Sequence, residues 1–198
     1  MFTGIITATA EVLSAEKNPR GLALKVVRPK NWTDLQAGES INSDGVCLTV
    51  ESQDAASYSY QLVPETLAKT TFGQSVPKAI NLERSLQTSD RFGGHFVQGH
   101  VDTVGTVKEL VQSKGEVRLV IGFDAKYRQL VVDKGSITVN GVALTVTETK
   151  DNSFGVALIP YTLEHTNLGS LTKGSLVNLE FDVIGKYIVK ALKPYANS

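Results

Sequence analysis

With one cysteine, Cys47, in 198 residues, the chain cannot form an internal disulfide. Neither sign of charge dominates: Lys+Arg and Asp+Glu number 20 each, for a formal net charge of zero. Nothing in that balance suggests an electrostatic grip on nucleic acid or an anionic membrane, which moves small-molecule chemistry to the front. No apolar run approaches membrane-spanning length. The opening Met1-Phe2-Thr3-Gly4-Ile5-Ile6 lacks the basic region, long apolar region and cleavage site of a signal peptide, so a cytoplasmic location is expected. There is no P-loop, no G-x-G-x-x-G between strand and helix, no H-E-x-x-H and no set of Cys and His at zinc spacing, which leaves a metal or phosphate-driven mechanism without support.

What the chain does have is a repeat. The run from Ser40 to Val50 (SINSDGVCLTV) returns as Ser136 to Val146 (SITVNGVALTV) at a constant offset of 96. Each copy joins an apolar run, an Asp-Gly or Asn-Gly pair suited to a type I′ turn, and a β-branched run, which predicts a hairpin. Strand alternation puts Cys47 and Thr49 on one face, with Leu48 and Val50 on the other. Ala143 and Thr145 repeat that parity, so the thiol of the first copy becomes a methyl in the second.

Other echoes extend the repeat to two domains. Gly4-Ile5-Ile6 matches Gly99-His100-Val101, Pro64-Glu65-Thr66-Leu67 matches Pro160-Tyr161-Thr162-Leu163, and Asn81-Leu82-Glu83 matches Asn178-Leu179-Glu180. Each half carries about six short β-runs separated by turn residues, the pattern of a small antiparallel barrel or sandwich. A first strand is expected over residues 2–13, beginning at the very N-terminus, and residues 29–37 form a surface connection with room for a short helix. The glycine-rich run from Arg91 to His100 is a tight joint. Ile184, Ile188 and Leu192, four apart, make a short helical stripe that Pro194 would stop and that a partner chain would bury. The expected domains are residues 1–94, 95–184 and a C-terminal helical segment, 185–198.

Two residues break the repeat at matched places. Cys47 alone reads as an inert buried thiol or a nucleophile, and its absence from the second copy favours function. His100 stands where the first half has Ile5; a core position would stay apolar in both halves, whereas an imidazole can donate, accept or carry a proton near neutral pH. His95 reads as a hydrogen-bonding residue of the joint, His165 as surface, and Asp182 as a solvated charge at a strand end. Ser40, Thr49, Ser136 and Thr145 are strand formers or hydroxyl partners for a heterocycle or polyol. Two similar but unequal pockets suit a reaction joining two copies of one molecule in different roles.

The motifs MFTGII, DGVCLTV, NLERSL, RFGGHFVQGHVDTVG, KGSITVNGVALTV, LIPYTLEHTNLG, VNLEFD and GKY, in this order, resemble the riboflavin synthases over essentially the whole chain. The resemblance implies an all-β fold of two tandem six-stranded Greek-key β-barrels with short helices and a C-terminal helix that assembles a homotrimer. It implies a transferase that dismutates two 6,7-dimethyl-8-ribityllumazine molecules to riboflavin and 5-amino-6-(D-ribitylamino)uracil, with no external cofactor and no metal. Carried over, the catalytic candidates are Cys47, His100 and Ser40. Cys47, Leu48, Thr49, Gly99, His100 and Val101 are expected on the first-barrel side, with Gly4, Ile5 and Ile6 and the segment Gln61, Leu62, Val63, Pro64, Glu65 and Thr66. Opposite them are expected Lys134, Ala143, Leu144, Thr145, Ile159, Pro160, Tyr161, Thr162 and Asp182.

Asn140 and Ala143 depart from the D-G-x-S-L-T common in the second repeat, and Asp44 stands where Asn is common in the first. Losing the serine removes one possible hydrogen bond, about 0.5–1.5 kcal/mol net. The rival readings are a non-catalytic lumazine or flavin carrier of related fold and a purely structural β-repeat. Both are disfavoured by Cys47 and His100, and the carrier also by the Ile184/Ile188/Leu192 stripe.

Overall fold

At the tips of the two repeated hairpins, Asp44 and Gly45 have φ of 48° and 86°, and Asn140 and Gly141 have 46° and 78°. Positive φ at both central residues is the type I′ geometry whose twist matches the flanking strands. In the computed structural model, which describes residues 1–113 and 116–192, these tips meet: a Cβ built on Gly45 would lie 3.1 Å from the Gly141 amide nitrogen.

The first half folds as β1 (Ala8–Asn18), β2 (Gly21–Val27), β3 (Ser40–Ser43), β4 (Val46–Gln53), β5 (Ser57–Leu62) and β6 (Ala79–Arg84). The second half repeats it with β7 (Thr103–Ser113), β8 (Glu116–Gly122), β9 (Ser136–Val139), β10 (Val142–Lys150), β11 (Ser153–Leu158) and β12 (Leu176–Phe181). Each half closes into an antiparallel barrel, in the order β1-β2-β5-β4-β3-β6 and its counterpart β7-β8-β11-β10-β9-β12. Three hairpin-connected strands with a fourth returning beside them make the Greek key, and closure leaves no sheet edge unpaired. The register shifts fall at matched positions, Val12/Ser14 with Val107/Glu109 and Val50/Ser52 with Val146/Glu148, so even the bulges are repeated.

Alternation decides what each strand buries. Leu48 and Val50 lie in the first core while Cys47 is half-buried and Thr49 exposed, as their parity requires. Two segments differ from expectation. The first strand starts at Ala8, because the backbone before it leaves the barrel and bridges from Phe2 to Val97 of the joint. Residues 29–37 hold turns rather than a helix, and from these turns Trp32 and Leu35 are drawn into the first core.

Two short helices, α1 (Pro64–Lys69) and α2 (Pro160–His165), begin with proline at the first helical position, where a missing N–H leaves nothing unsatisfied. After β12 comes α3 (Val183–Leu192), which leaves Ile184, Ile188 and Leu192 more than half exposed. Pro194, the expected stop, lies outside the described residues. None of the described helices is long and apolar enough to cross a membrane.

Candidate active site

The opening residues of each half cross to the opposite barrel. Ile6 packs on the second core and its counterpart Val101 on the first. Backbone hydrogen bonds fix the crossing: the Ala143 amide donates to the Gly4 carbonyl at 2.8 Å, and the Cys47 amide donates to the Gly99 carbonyl at 2.7 Å. A Cβ on either glycine would come within 2.6 Å of the facing Cβ, that of Ala143 or Cys47. Gly4 and Gly99 also hold φ of 79° and 77°, so both sites require glycine for space and for conformation.

Two buried carboxylates hold these crossing segments. Glu83 accepts from the Thr3 amide and hydroxyl, each at 2.7 Å, from the Gly4 amide at 2.9 Å and from Asn42 Nδ2 at 3.2 Å. Glu180 accepts from the amides of Gln98, Gly99 and His100 at 2.8, 3.0 and 3.2 Å. Burial pushes the Glu180 carboxyl up from its ordinary pKa, with its amide partners and Lys186 working the other way. Sequence reasoning missed both glutamates as site residues, although the paired Asn-Leu-Glu runs were the signal.

The Gly99 crossing brings Cys47 and His100 to one cavity of about 210 Å³, lined also by Val46, Glu65, Thr66, Lys69, Thr70, Gly99 and Val101. Cys47 comes from β4, His100 from the loop held by Glu180, and Glu65 and Thr66 from α1. Lys69, one turn along α1, pairs with Glu65 at 2.7 Å, and this bond holds its ammonium above the usual lysine range. The cavity therefore joins a thiol, an imidazole, hydroxyls and an ion pair against an apolar floor.

The other expected residues fall in several places. Leu48 and Leu62 are core residues, so only their backbones face outward. Gln61 exchanges hydrogen bonds with Asn18, and Val63 and Pro64 lead into α1. Ser40 lies across from Thr49 in the β3–β4 register and does not line the cavity. The expected grouping of Gly4, Ile5 and Ile6 with the first barrel is corrected: Gly4 abuts Ala143, so these residues belong with the second barrel's face. Sequence parity could not foresee this exchange of opening segments.

On that second face Ile5 stands where His100 stands on the first, and Ala143 where Cys47 does. Leu144 packs on the second core, Thr145 is exposed, and Lys134 is exposed with a φ of 63°. Ile159 precedes α2 and Pro160 and Thr162 lie in it, while the exposed Tyr161 ring stacks on His165 at 3.9 Å between centroids. Asp182 accepts from the Ile184 amide at 2.9 Å, starting α3. His95 Nε2 lies 3.2 Å from Thr138 Oγ1, and burial lowers its pKa against the pull of Asp182, consistent with a joint residue.

The sequence profile of the lumazine binding domain matches residues 3–85 and again residues 98–182. The chain is 38% identical to a riboflavin synthase of Actinobacillus pleuropneumoniae over 193 residues, covering 97% of this chain and 90% of that protein. Against a riboflavin synthase of Mycobacterium bovis the identity is 39% over 199 residues, covering 98% of each. A crystal structure of LumP complexed with 6,7-dimethyl-8-(1′-D-ribityl) lumazine has the same fold, with a TM-score of 0.82 at 24% identity over 91% of this chain and 98% of that one.

Proposed function

This chain belongs to the riboflavin synthase family, and from that premise we propose how its two unequal halves share the reaction. It is a transferase that converts two molecules of 6,7-dimethyl-8-ribityllumazine into one of riboflavin and one of 5-amino-6-(D-ribitylamino)uracil. A four-carbon unit leaves one lumazine and joins the other. What the donor loses the acceptor gains, so no outside oxidant, reductant or cofactor enters.

The observation that carries the site reading is the meeting of Cys47 and His100, from different halves, around one cavity. One lumazine is polarised or attacked at C7 while the other gives up a proton from its C7 methyl. Cys47, His100 and bound water are the groups proposed for those steps. Glu65, Thr66 and the Gly99–Val101 backbone would hold ring and ribityl chain, with the Gln61–Pro64 backbone beside them and Ser40 and Thr49 as outlying hydroxyls. Ala143, Leu144, Thr145 and the Ile159–Thr162 segment, with Gly4, Ile5, Ile6, Lys134 and Asp182, would hold the second lumazine without a thiol or imidazole at the matched positions. The functional division at residues 1–94, 95–184 and 185–198 goes with this reading.

The proposed assembly is a cytoplasmic homotrimer in which the first barrel of one chain faces the second barrel of its neighbour. It is supported by the α3 stripe, whose three apolar side chains stay more than half exposed within the described chain. Zero net charge is in keeping with partners that are neither nucleic acid nor membrane. Incubating the pure protein with the lumazine alone tests the activity: riboflavin and the pyrimidine should accumulate in equal amounts, one each per two lumazines consumed. A protein that keeps its lumazine bound and unchanged would be a carrier.

A further inference from the structure

The loop that carries His100 is tied to α3, and the tie is absent from the other half. Asp102, two residues after His100, donates its amide to the Leu179 carbonyl at 2.9 Å. Its Oδ2 accepts from the Phe181 amide at 2.9 Å and from Lys186 Nζ at 2.6 Å. Lys186 and Asp102 are largely shielded, with side-chain exposures of 25% and 20%, which limits solvent screening of the pair. Lys186 sits two residues from both Ile184 and Ile188, so it faces the barrel when their apolar face points outward. Tyr127 adds a second tether, its hydroxyl donating to the Asp102 carbonyl at 3.1 Å.

In the first half Thr7 occupies the place of Asp102. Its amide and hydroxyl both reach only the Leu82 carbonyl, at 2.9 and 3.3 Å, and β6 is followed by the joint instead of a helix. The half with the imidazole is thus the half with the ionic tether. Glu180 fixes the loop's amides, but all three of those bonds lie on one side of His100 or at its own nitrogen. Asp102 fixes the other side.

We infer that Lys186 and Asp102 form a positioning pair that sets the His100 loop from α3. This inference rests on the reading of His100 as an active-site residue. It makes Lys186 and Asp102 positioning residues for the lumazine reaction without contact to the substrate.

The test is steady-state turnover of the lumazine by Lys186→Met, Lys186→Arg, Asp102→Asn and His100→Ala, with sedimentation of each. Lys186→Met and Asp102→Asn should lose roughly ten- to a hundred-fold in kcat, the scale of a misplaced catalytic group, while KM and sedimentation stay near those of the unmodified chain. Asp102→Asn keeps an acceptor for the Phe181 amide and so isolates the ion pair. Lys186→Arg should restore most of the rate. Unchanged kcat in both Lys186→Met and Asp102→Asn, with His100→Ala inactive, overturns the link alone. A rate loss that follows the fraction of folded or assembled protein, without rescue by arginine, assigns the pair to stability and overturns it too. Wild-type turnover by His100→Ala overturns the site reading and this inference with it.

Discussion

Cys47 and Gly99 touch backbone to backbone across the two halves: the Cys47 amide donates to the Gly99 carbonyl at 2.7 Å, and no side chain fits between them. The same relation joins Ala143 to Gly4 at 2.8 Å. The two faces of the molecule therefore share one frame and differ in the groups set into it. A thiol and an imidazole stand on one face, a methyl and an isoleucine on the other.

That frame is sensitive to a single methyl group. In Gly99→Ala the new Cβ would lie 2.6 Å from Cys47 Cβ and 2.7 Å from its backbone nitrogen, at a φ of 77° that L-residues avoid. Left-handed strain costs about 1–2 kcal/mol and overpacking about 1–3 kcal/mol. Thermal unfolding should register that loss, and turnover should fall at least about ten-fold because the His100 loop is pushed off Cys47. An unaltered melting temperature would show that the contact is slack.

The joint between barrels is expected to respond to pH through Asp44. Its carboxyl is 2% exposed, accepting at Oδ1 from the Asn81 amide and from Asn167 Nδ2, each at 2.8 Å, and burial raises its pKa to about 7. An acid whose folded pKa exceeds its unfolded value of 3.8 keeps a proton in the folded state that the unfolded chain releases. Stability from this group is present below about pH 4 and is lost as the pH rises towards 7. Asp44→Asn removes the effect and copies Asn140, whose Oδ1 accepts from the Asn178 amide at 2.8 Å at the matched turn. Denaturant titrations should show the variant gaining on the parent between pH 4 and pH 7, by up to about 4 kcal/mol at 1.36 kcal/mol per unit. Parallel stability curves across that range would remove Asp44 as the cause.

Much of this architecture was legible in the sequence, and what was not has a common physical origin. Asp44-Gly45 and Asn140-Gly141 announce their turns because few residues accept positive φ twice in succession. Leu48 and Val50 announce the core by alternation. Both are local rules. The exchange of Gly4–Ile6 and Gly99–Val101 between barrels depends on contacts between segments distant in sequence, as does the Asn167 bond to Asp44, 123 residues away. Glu83 and Glu180 repeat visibly, but nothing near them in sequence says that buried amides will arrive to justify a buried carboxylate. The first-barrel cavity was half legible: Cys47 and His100 broke the symmetry, while the absence of Ser40 from the lining follows from its register with Thr49.

The asymmetry of the two faces predicts unequal mutants. Cys47→Ala and His100→Ala should each lower turnover by about 10²–10⁴-fold, the range for losing a nucleophile's or proton carrier's help. Ile5→Ala, at the matched place on the other face, should act mainly on lumazine affinity, since it removes apolar contact and no titrating group. Kinetics with KM and kcat resolved would separate the two. Wild-type rates from both Cys47→Ala and His100→Ala would rule out this face as the reacting one.

The last expectation concerns α3. Ile188 is 52% exposed and Ile184 53%, so a charge placed there meets little of its own chain. Ile188→Asp should leave barrel unfolding within about 0.5 kcal/mol of the parent, as exposed substitutions do. Burying such a side chain in an interface stabilises by about 1.5–3 kcal/mol, and burying an unpaired carboxylate instead is unfavourable, so three-fold association should lose both terms in every chain. Sedimentation should then report single chains where the parent is expected to sediment as three. Turnover should fall with the assembly in the proposed arrangement, where the two lumazines meet between the first barrel of one chain and the second barrel of its neighbour. A monomeric Ile188→Asp with full turnover would place both lumazines within one chain and overturn the inter-chain seam while leaving the Cys47 and His100 cavity intact.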